Sequence, residues 1–161
     1  MIGLLSALAF FHYTFAACPS GFIEAGYTYH QRNNFCYKLI VNSGLSFNDS
    51  EALCQFDGAH LASIHDDEEN IFLNSFAYGI NAWIGLYNNN GTWTWTDGTA
   101  LGFSKFICGT PSPSLNCTSM YNTHSNADCS GNTCDVYGQW TNNDCNNLGN
   151  VPAAICKKPH Y

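Results

Sequence analysis

The sequence predicts an α+β domain, on the evidence of helix signals in its first half and strand signals mostly in its second. Two segments between residues 46 and 79 combine helix caps with apolar residues at helical spacing. Short apolar or alternating runs bounded by turn residues follow them. Helices and antiparallel strands that are segregated along a chain are typical of the α+β class. Nine cysteines in 161 residues predict disulfide cross-links and an oxidising compartment.

Residues 1–17 are predicted to be a signal peptide. The apolar stretch Ile2 to Phe11 has the length of a signal core, and Ala16-Ala17 supplies small residues for cleavage. An uncleaved signal anchor is the alternative, although the run is shorter than the ~20 residues of a spanning helix. We therefore expect a secreted, extracellular protein without a membrane span, in which residues 18–161 form one domain.

Two strands and a capped helix are predicted first. Tyr27 to Tyr29 and Phe35 to Val41 have strand composition, with turn residues between them. Ser46 and Asp49 form a capping-box pattern, and Gly58 is the expected left-handed stop. The apolar face of this helix is predicted to contain Phe47, Ala52, Leu53 and Phe56, with Cys54 pointing into the core.

A second helix is predicted to begin at the acidic run Asp66-Asp67-Glu68-Glu69 and to end near Gly79. Carboxylates are favourable at a helix N-terminus, so this run is interpreted as a helix start rather than a calcium site. The predicted core-facing positions of this helix are Ile71, Phe72, Ser75 and Phe76.

The second half of the chain predicts strands separated by ordered loops. Ala82 to Leu86 suits a buried strand, and Thr92 to Thr96 alternates with period two before the turn signal Asp97-Gly98. Residues 101–150 are rich in Gly, Ser, Asn, Pro and Cys and are predicted to be irregular, and Val151 to Lys157 reads as the closing strand.

Composition excludes several function classes. The net charge is −7, and the five Lys and Arg residues form no stripe, so we expect neither nucleic acid nor an anionic membrane as partner. The chain contains no HExxH motif, no Gly-x-Ser-x-Gly motif and no Cys/His pair with an orienting acid. We therefore do not expect an enzyme.

An ordered set of motifs resembles the C-type lectin-like domain in its long form. They are Cys18-Pro19-Ser20-Gly21-Phe22 with Cys36-Tyr37, Gly58 to Ile64 with Glu69-Asn70, Trp83-Ile84-Gly85-Leu86, Trp93-x-Trp95-x-Asp97-Gly98, Cys117, Gly138-x-Trp140, Cys145 and Ile155-Cys156. The resemblance implies the C-type lectin-like fold, with two helices, small antiparallel sheets and a long disulfide-tied loop region. It also implies the disulfide pairs Cys18–Cys36, Cys54–Cys156 and Cys117–Cys145.

Three cysteines remain after these pairs. The polar spacer 130–133 favours a small ring closed by Cys129–Cys134. Cys108 is then the odd cysteine, either a buried thiol or the site of a disulfide-linked dimer. A zinc site with His124 is disfavoured because the spacing fits no strong zinc pattern.

Sugar-binding members of the family hold a calcium ion through two loop motifs, and this chain departs from both. The corresponding positions are Thr110 and Ser112 in the first motif, and Thr141 and Asn142 in the second. None is a carboxylate, although calcium gains affinity from carboxylate ligands. The usual site is therefore expected to be weak or absent. Calcium remains possible through a shifted register that uses Asn143 and Asp144, or through Asp128 and Asp135.

The leading interpretation is a secreted recognition module for glycans or cell-surface glycoproteins, with the usual calcium motifs degenerate, so that its ligand can be bound without calcium. The alternative is a protein–protein interaction or structural role on the same scaffold. The four tryptophans are interpreted as packing residues rather than sugar platforms. N-glycosylation sequons begin at Asn90, Asn48 and Asn116, of which Asn90 lies in the best turn.

Overall fold

The computed structural model of the protein describes residues 17–109, 111–146 and 151–161. Within these ranges the chain forms helices and short strands, so the predicted α+β class is confirmed. The helices are α1 Ser20–Glu24, α2 Phe47–Phe56 and α3 Asp67–Phe76. The strands are β1 Thr28–His30, β2 Phe35–Val41, β3 His60–Leu61, β4 Ala82–Asn89, β5 Thr92–Trp95, β6 Cys117–Met120, β7 Asn126–Cys129, β8 Asn132–Asp135, β9 Trp140–Asn143 and β10 Ala153–Pro159.

Eight of the strands form one sheet around the last strand of the chain. The order is β1-β2-β10-β4-β6-β9, with β3 beside β10 and β5 beside β4. Only the β10–β4 pair is parallel; the other pairs of this sheet are antiparallel. Strands β7 and β8 form a separate hairpin. Because β10 lies between β2 and β4, the last strand of the domain pairs with an early strand in the centre of the sheet.

Strand β4 passes so close to its neighbours that one position must be glycine. A Cβ atom on Gly85 would lie 2.5 Å from the carbonyl oxygen of Leu61 and 2.8 Å from Oγ1 of Thr96. The flanking residues of the strand, Trp83, Ile84 and Leu86, are fully buried. The glycine thus allows the strand to pack against β3 and the residue after β5.

The predicted limits of α2 are confirmed. Ser46 caps the helix by accepting a hydrogen bond from the Asp49 amide at 3.1 Å, and the Asp49 carboxylate accepts one from the Ser46 amide. Gly58 has φ of +66°, the left-handed conformation expected at a helix stop.

The predicted burial of Phe47 and Cys54 on α2 is confirmed, but the rest of the predicted apolar face, Ala52, Leu53 and Phe56, is wrong. The buried residues of the helix are Phe47, Ser50 and Cys54, whereas Phe56 is 89% exposed and Leu53 is 41% exposed. The disulfide from Cys54 to Cys156 of β10 fixes which side of the helix meets the sheet. That covalent constraint overrides the apolar spacing.

The core-facing side of α3 also differs from the prediction. The buried helix residues are Glu69, Asn70, Leu73 and Asn74, whereas Ile71 is 58% exposed. Two of the buried polar side chains have strong partners deep in the core, described below. Apolar periodicity predicts the wrong core-facing side of α3 because three of its four buried residues are polar.

The segment predicted to be irregular contains four strands, β6 to β9. Their sequences are rich in Thr, Ser, Asn and Cys, residues that are more typical of loops than of strands. β6 is nevertheless buried along its whole length, because it pairs with β4 on one side and β9 on the other.

The core contains a buried ion pair as well as packed tryptophans. Lys157 Nζ lies 2.6 Å from Glu69 Oε1, and both side chains are 4% exposed. The Tyr37 hydroxyl donates to the same carboxylate at 2.5 Å. The indole N–H of Trp140 donates to Asn70 Oδ1 at 2.8 Å. These contacts tie α3 to the sheet.

The predicted leader, residues 1–17, lies outside the described residues except for Ala17. In the described part of the chain, no helix is both long and apolar enough to cross a membrane.

Candidate functional site

Three disulfide bonds frame the candidate site and the rest of the domain. Cys117–Cys145 links the first residue of β6 to the chain just after β9. It therefore closes the base of the segment between β5 and β6, which we call the long loop. Cys54–Cys156 links α2 to β10, and Cys18–Cys36 links the N-terminal segment to β2. The loop that contains Ser112 is thus held at its C-terminal end by the disulfide Cys117–Cys145.

Asn142 of β9 fastens the long loop through every polar atom of its side chain. Its Oδ1 accepts a hydrogen bond from the Ser112 amide at 2.9 Å. Its Nδ2 donates to the carbonyl oxygens of Ser112 and Leu115, both at 2.6 Å. The side chain is nearly buried, with 6% exposure of the residue. We call these three hydrogen bonds the Asn142 clamp.

The Asn142 clamp occupies the position at which the family resemblance predicts a calcium ligand. An amide contributes one oxygen to a metal, and here that oxygen already accepts from Ser112. The amide nitrogen is a donor, which a cation repels. Calcium requires six to eight oxygen ligands and gains affinity from carboxylates. The described donor set therefore does not fit calcium.

The other predicted ligand residues do not complete a calcium site within the described part of the chain. Thr110 lies outside the described residues. Thr141 and Asn143 are half-buried on the face of β9 opposite to Asn142, and Asn143 donates to the Ser119 hydroxyl at 2.8 Å. Asp144 accepts from the Asn146 amide at 2.9 Å and caps a turn.

The alternative carboxylates lie in the β7–β8 hairpin and already have partners. Asp128 accepts from the Gly131 amide at 2.7 Å. Asp135 accepts from the Tyr137 amide and contacts the His124 ring, and these two contacts hold the pKa of its carboxyl below the usual range. Among the described residues, the one cluster of three side chains capable of binding a metal consists of cysteines.

An open groove of about 580 Å³ lies beside the clamped loop, between the loop and the β4–β5 hairpin. This volume is in the range of small-ligand sites. The lining is neutral and rich in amides, without a carboxylate or a basic group among its residues. The lining residues are Asn88, Asn89, Asn90, Gly91, Trp93, Pro111, Ser112, Pro113 and Asn116.

Trp93 is the aromatic surface of this groove. It is half-buried and packs against Phe106 at 5.3 Å between ring centroids, so part of its ring remains available. The other three tryptophans are fully buried in the core. Their interpretation as packing residues matches this burial, whereas Trp93 both packs and lines the groove.

Two amides of the groove have hydrogen-bonding capacity to spare within the described part of the chain. Asn88 Oδ1 accepts from the Gly91 amide at 2.7 Å, and no partner is found there for its nitrogen. The exposed Asn116 side chain has no hydrogen-bond partner among the same residues. Sequence reasoning missed these residues as a site, although the run Asn88-Asn89-Asn90-Gly91 signals an amide-rich turn.

Two of the three sequon asparagines, Asn90 and Asn116, line the groove, and both are exposed. Asn48 is exposed on the first turn of α2 and lies apart from it. A glycan on Asn90 or Asn116 would therefore stand at the groove, whereas one on Asn48 would not.

The remaining cysteines, Cys108, Cys129 and Cys134, converge at the β7–β8 hairpin. Their sulfur atoms lie within 4.8 Å of one another. Cys108 is exposed, so the prediction that it could be a buried thiol is wrong. It lies in a single turn of 3-10 helix at residues 107–109, against β7.

Comparison with known proteins gives curated relatives and solved structures of one kind. The chain is 35% identical over 96 residues to human C-type lectin domain family 10 member A, covering 58% of this chain and 28% of that protein. It is 34% identical over 84 residues to asialoglycoprotein receptor 1 of Pongo abelii, covering 52% of this chain and 26% of that one. The chain thus spans about a quarter of the length of these relatives.

Two solved structures share the fold over nearly the whole chain. A calcium-independent type II antifreeze protein has a TM-score of 0.70 at 26% identity, covering 92% of this chain and 99% of that one. The cow C-type carbohydrate-recognition domain of CD23, solved in the presence of a GlcNAc2Man3 oligosaccharide, has a TM-score of 0.69 at 23% identity. It covers 89% of this chain and 97% of that one.

The model of the lectin C-type domain matches residues 43–158, which include both cysteines of the disulfide Cys117–Cys145, the Trp83 strand and the Asn142 clamp. This match covers most of the chain and most of the eight-stranded sheet. The chain belongs to the C-type lectin domain family.

Proposed function

We propose that this protein is a secreted recognition module that binds neutral glycans, or the glycans of cell-surface glycoproteins, in the amide-lined groove and without calcium. The observation that carries the proposal is the Asn142 clamp. In it, one amide makes three hydrogen bonds to the loop at the position where the family resemblance predicts a metal ligand.

The clamp supports calcium independence because it gives the loop a fixed shape by protein contacts alone. It holds Ser112 and Leu115 to β9, and the disulfide Cys117–Cys145 holds the base. A binding surface that is already ordered loses less conformational entropy when a ligand binds. The solved calcium-independent antifreeze protein supports the same idea, because it combines this fold with calcium independence.

The groove supports a neutral polyhydroxylated ligand. Side-chain amides present a donor and an acceptor side by side, which suits neighbouring hydroxyl groups. Asn88, Asn89 and Asn116 supply such amides, and Trp93 offers apolar surface for a sugar ring. The neutral lining does not favour an ionic ligand.

The proposal is tested by binding of groove variants to an immobilised glycan panel, with free sugar as competitor. Asn88→Ala and Asn89→Ala are each expected to lower affinity about 5- to 30-fold, which corresponds to the loss of one or two hydrogen bonds. Asn42→Ala is the matched control, because Asn42 is an exposed asparagine outside the groove. Equal effects of all three variants would contradict the proposal.

A second candidate function is a protein–protein interaction on the same scaffold. It is favoured by the exposed apolar residues Leu53 and Phe56, one turn apart on α2. No retention on any glycan, together with loss of binding to a protein partner in Phe56→Ser, would favour this candidate.

A further inference from the structure

We propose that Cys108, Cys129 and Cys134 form a thiol–disulfide exchange site, in which one disulfide is shared among three sulfur atoms and the remaining thiol reacts with external disulfides.

The number of cysteines requires one unpaired sulfur in a monomeric chain with no added group. The chain has nine cysteines, and six of them form the three framework disulfides. The other three lie together, with all sulfur atoms within 4.8 Å. A sulfur atom forms one disulfide, so this cluster holds one bond and one thiol.

Two different bonds are compatible with the backbone. The Cα atoms of Cys108 and Cys129 are 5.1 Å apart, and those of Cys129 and Cys134 are 6.6 Å apart. Both separations lie within the range of about 4.4–6.8 Å seen in disulfides. The chain therefore needs no large backbone movement to change from one bond to the other, and Cys129 is the sulfur common to both.

The hairpin geometry explains why Cys129 is central. Cys134 pairs with Ala127 in the β7–β8 register, so Cys129 lies two residues along β7 on the same face as Cys134. The 3-10 turn at residues 107–109 brings Cys108 to β7, where its sulfur lies 3.7 Å from the Asp128 carbonyl oxygen.

The exchange step balances within the chain. The Cys108 thiol loses its proton to solvent and its thiolate attacks Cys129 of the Cys129–Cys134 bond. The Cys108–Cys129 bond forms as the Cys129–Cys134 bond breaks, and Cys134 leaves as a thiolate that takes up a proton. Disulfide number and oxidation state do not change.

The reaction with an external disulfide follows the same chemistry. The thiolate of Cys108 attacks one sulfur of a small disulfide RSSR, forms a mixed disulfide with one half, and releases the other half as RS⁻. Cys108 is the exposed member of the cluster and is the expected site of this reaction, whereas Cys129 and Cys134 are half-buried. The ligand class is thus low-molecular-weight disulfides.

Two consecutive labelling steps test the exchange. The secreted, oxidised protein is alkylated under denaturing conditions at acidic pH, which stops exchange, and is then reduced and labelled with a second reagent. Peptide mass analysis is expected to find one early label per chain, divided between Cys108 and Cys134. At least about one tenth of this label is expected on the less labelled of the two cysteines. This fraction corresponds to two disulfide isomers that differ in free energy by no more than about 1.4 kcal/mol.

Single variants and oxidised glutathione test the reactivity. Wild-type protein is expected to gain one glutathionyl group per chain, and Cys108→Ser and Cys134→Ser none, because each variant leaves one fixed disulfide. The framework disulfides, mapped in the same experiment, show that the variants fold.

Three results would overturn the proposal. They are an early label confined to one cysteine or found on a framework cysteine, a covalent dimer with no thiol, and no reaction of the wild-type protein with oxidised glutathione.

Discussion

Removal of the Asn142 side chain is expected to release the long loop from β9. Asn142→Ala deletes three hydrogen bonds, two of them at 2.6 Å and one at 2.9 Å. Each contributes about 1 kcal/mol net, and water replaces part of what is lost at the exposed loop. We therefore expect the free energy of unfolding to fall by about 2–3 kcal/mol, which corresponds to roughly 4–12 °C in Tm for a domain of this size.

The assay combines urea unfolding with amide hydrogen exchange in calcium-free buffer. The Ser112 amide donates to Asn142 Oδ1 in an exposed loop, so we expect this amide to exchange slowly while the clamp is intact. Asn143→Ala is the matched control. Asn143 is the next residue of β9 and donates to Ser119 rather than to the loop. It is expected to leave exchange at Ser112 unchanged.

The effect of calcium on the unfolding midpoint tests whether the protein has a calcium site. A ligand that binds the folded state at 100 times its Kd stabilises it by about 2.7 kcal/mol. Without a site, millimolar calcium is expected to leave the unfolding midpoint of the wild-type protein unchanged. A rise in that midpoint with calcium would refute the absence of a calcium site, and equal effects of Asn142→Ala and Asn143→Ala on Ser112 exchange would refute the clamp.

Three further predictions concern stability and access. Lys157→Met removes the cationic partner of the buried Glu69, so a loss of about 3–5 kcal/mol is expected in urea unfolding. The control Lys105→Met, whose pair with Asp67 is exposed, is expected to lose less than about 1 kcal/mol. Similar losses in the two variants would contradict the role of the buried pair. Burial raises the pKa of Asp97, but hydrogen bonds from Ser63 and Thr99 outweigh it and place that pKa below the usual value. This carboxylate therefore stabilises the fold above the unfolded pKa near 4, and the contribution is lost as pH falls through the folded pKa. The free energy of unfolding, measured from pH 6 downward, should depend less on pH in Asp97→Asn than in the wild-type protein. The same pH dependence in both proteins would contradict this role of Asp97. Thr92→Ala removes the sequon of Asn90 while keeping the groove amide, so affinity for immobilised glycan should rise if Asn90 carries a glycan. The control Asn48→Gln should leave that affinity unchanged. A rise in both variants would indicate that the ligand does not bind in the groove.

Local signals were sufficient for much of the fold. Ser46, Asp49 and Gly58 define α2 by capping and backbone conformation, which depend on neighbouring residues. Strand β2 has the predicted limits Phe35–Val41. The order of the motifs along the chain predicted the family because the motifs include the core strands and the framework cysteines together.

Long-range partners decided the features that sequence patterns missed. Glu69 and Asn70 face the core because Lys157 and Trp140 satisfy them, and those partners lie 88 and 70 residues away. Strands β6 and β9 form in a polar segment because β6 pairs with β4 and β9 pairs with β6. Neither effect has a local signature in the chain.

The candidate site was predicted only in outline. The family positions led to Ser112 and Asn142, and the lack of carboxylates predicted a failed calcium site. The clamp could not be predicted, because it depends on the path of the loop carbonyls around one amide. The groove likewise depends on two segments, residues 88–93 and 111–116, that meet only in the folded chain.

The proposed calcium-independent glycan binding is tested by binding of the oxidised protein to a glycan array, measured in calcium and again in EDTA. We expect the same glycans and the same affinities in both buffers, and an affinity about 5- to 30-fold lower in Asn89→Ala. Binding that disappears in EDTA would contradict calcium independence, and no binding in either buffer would contradict the glycan ligand.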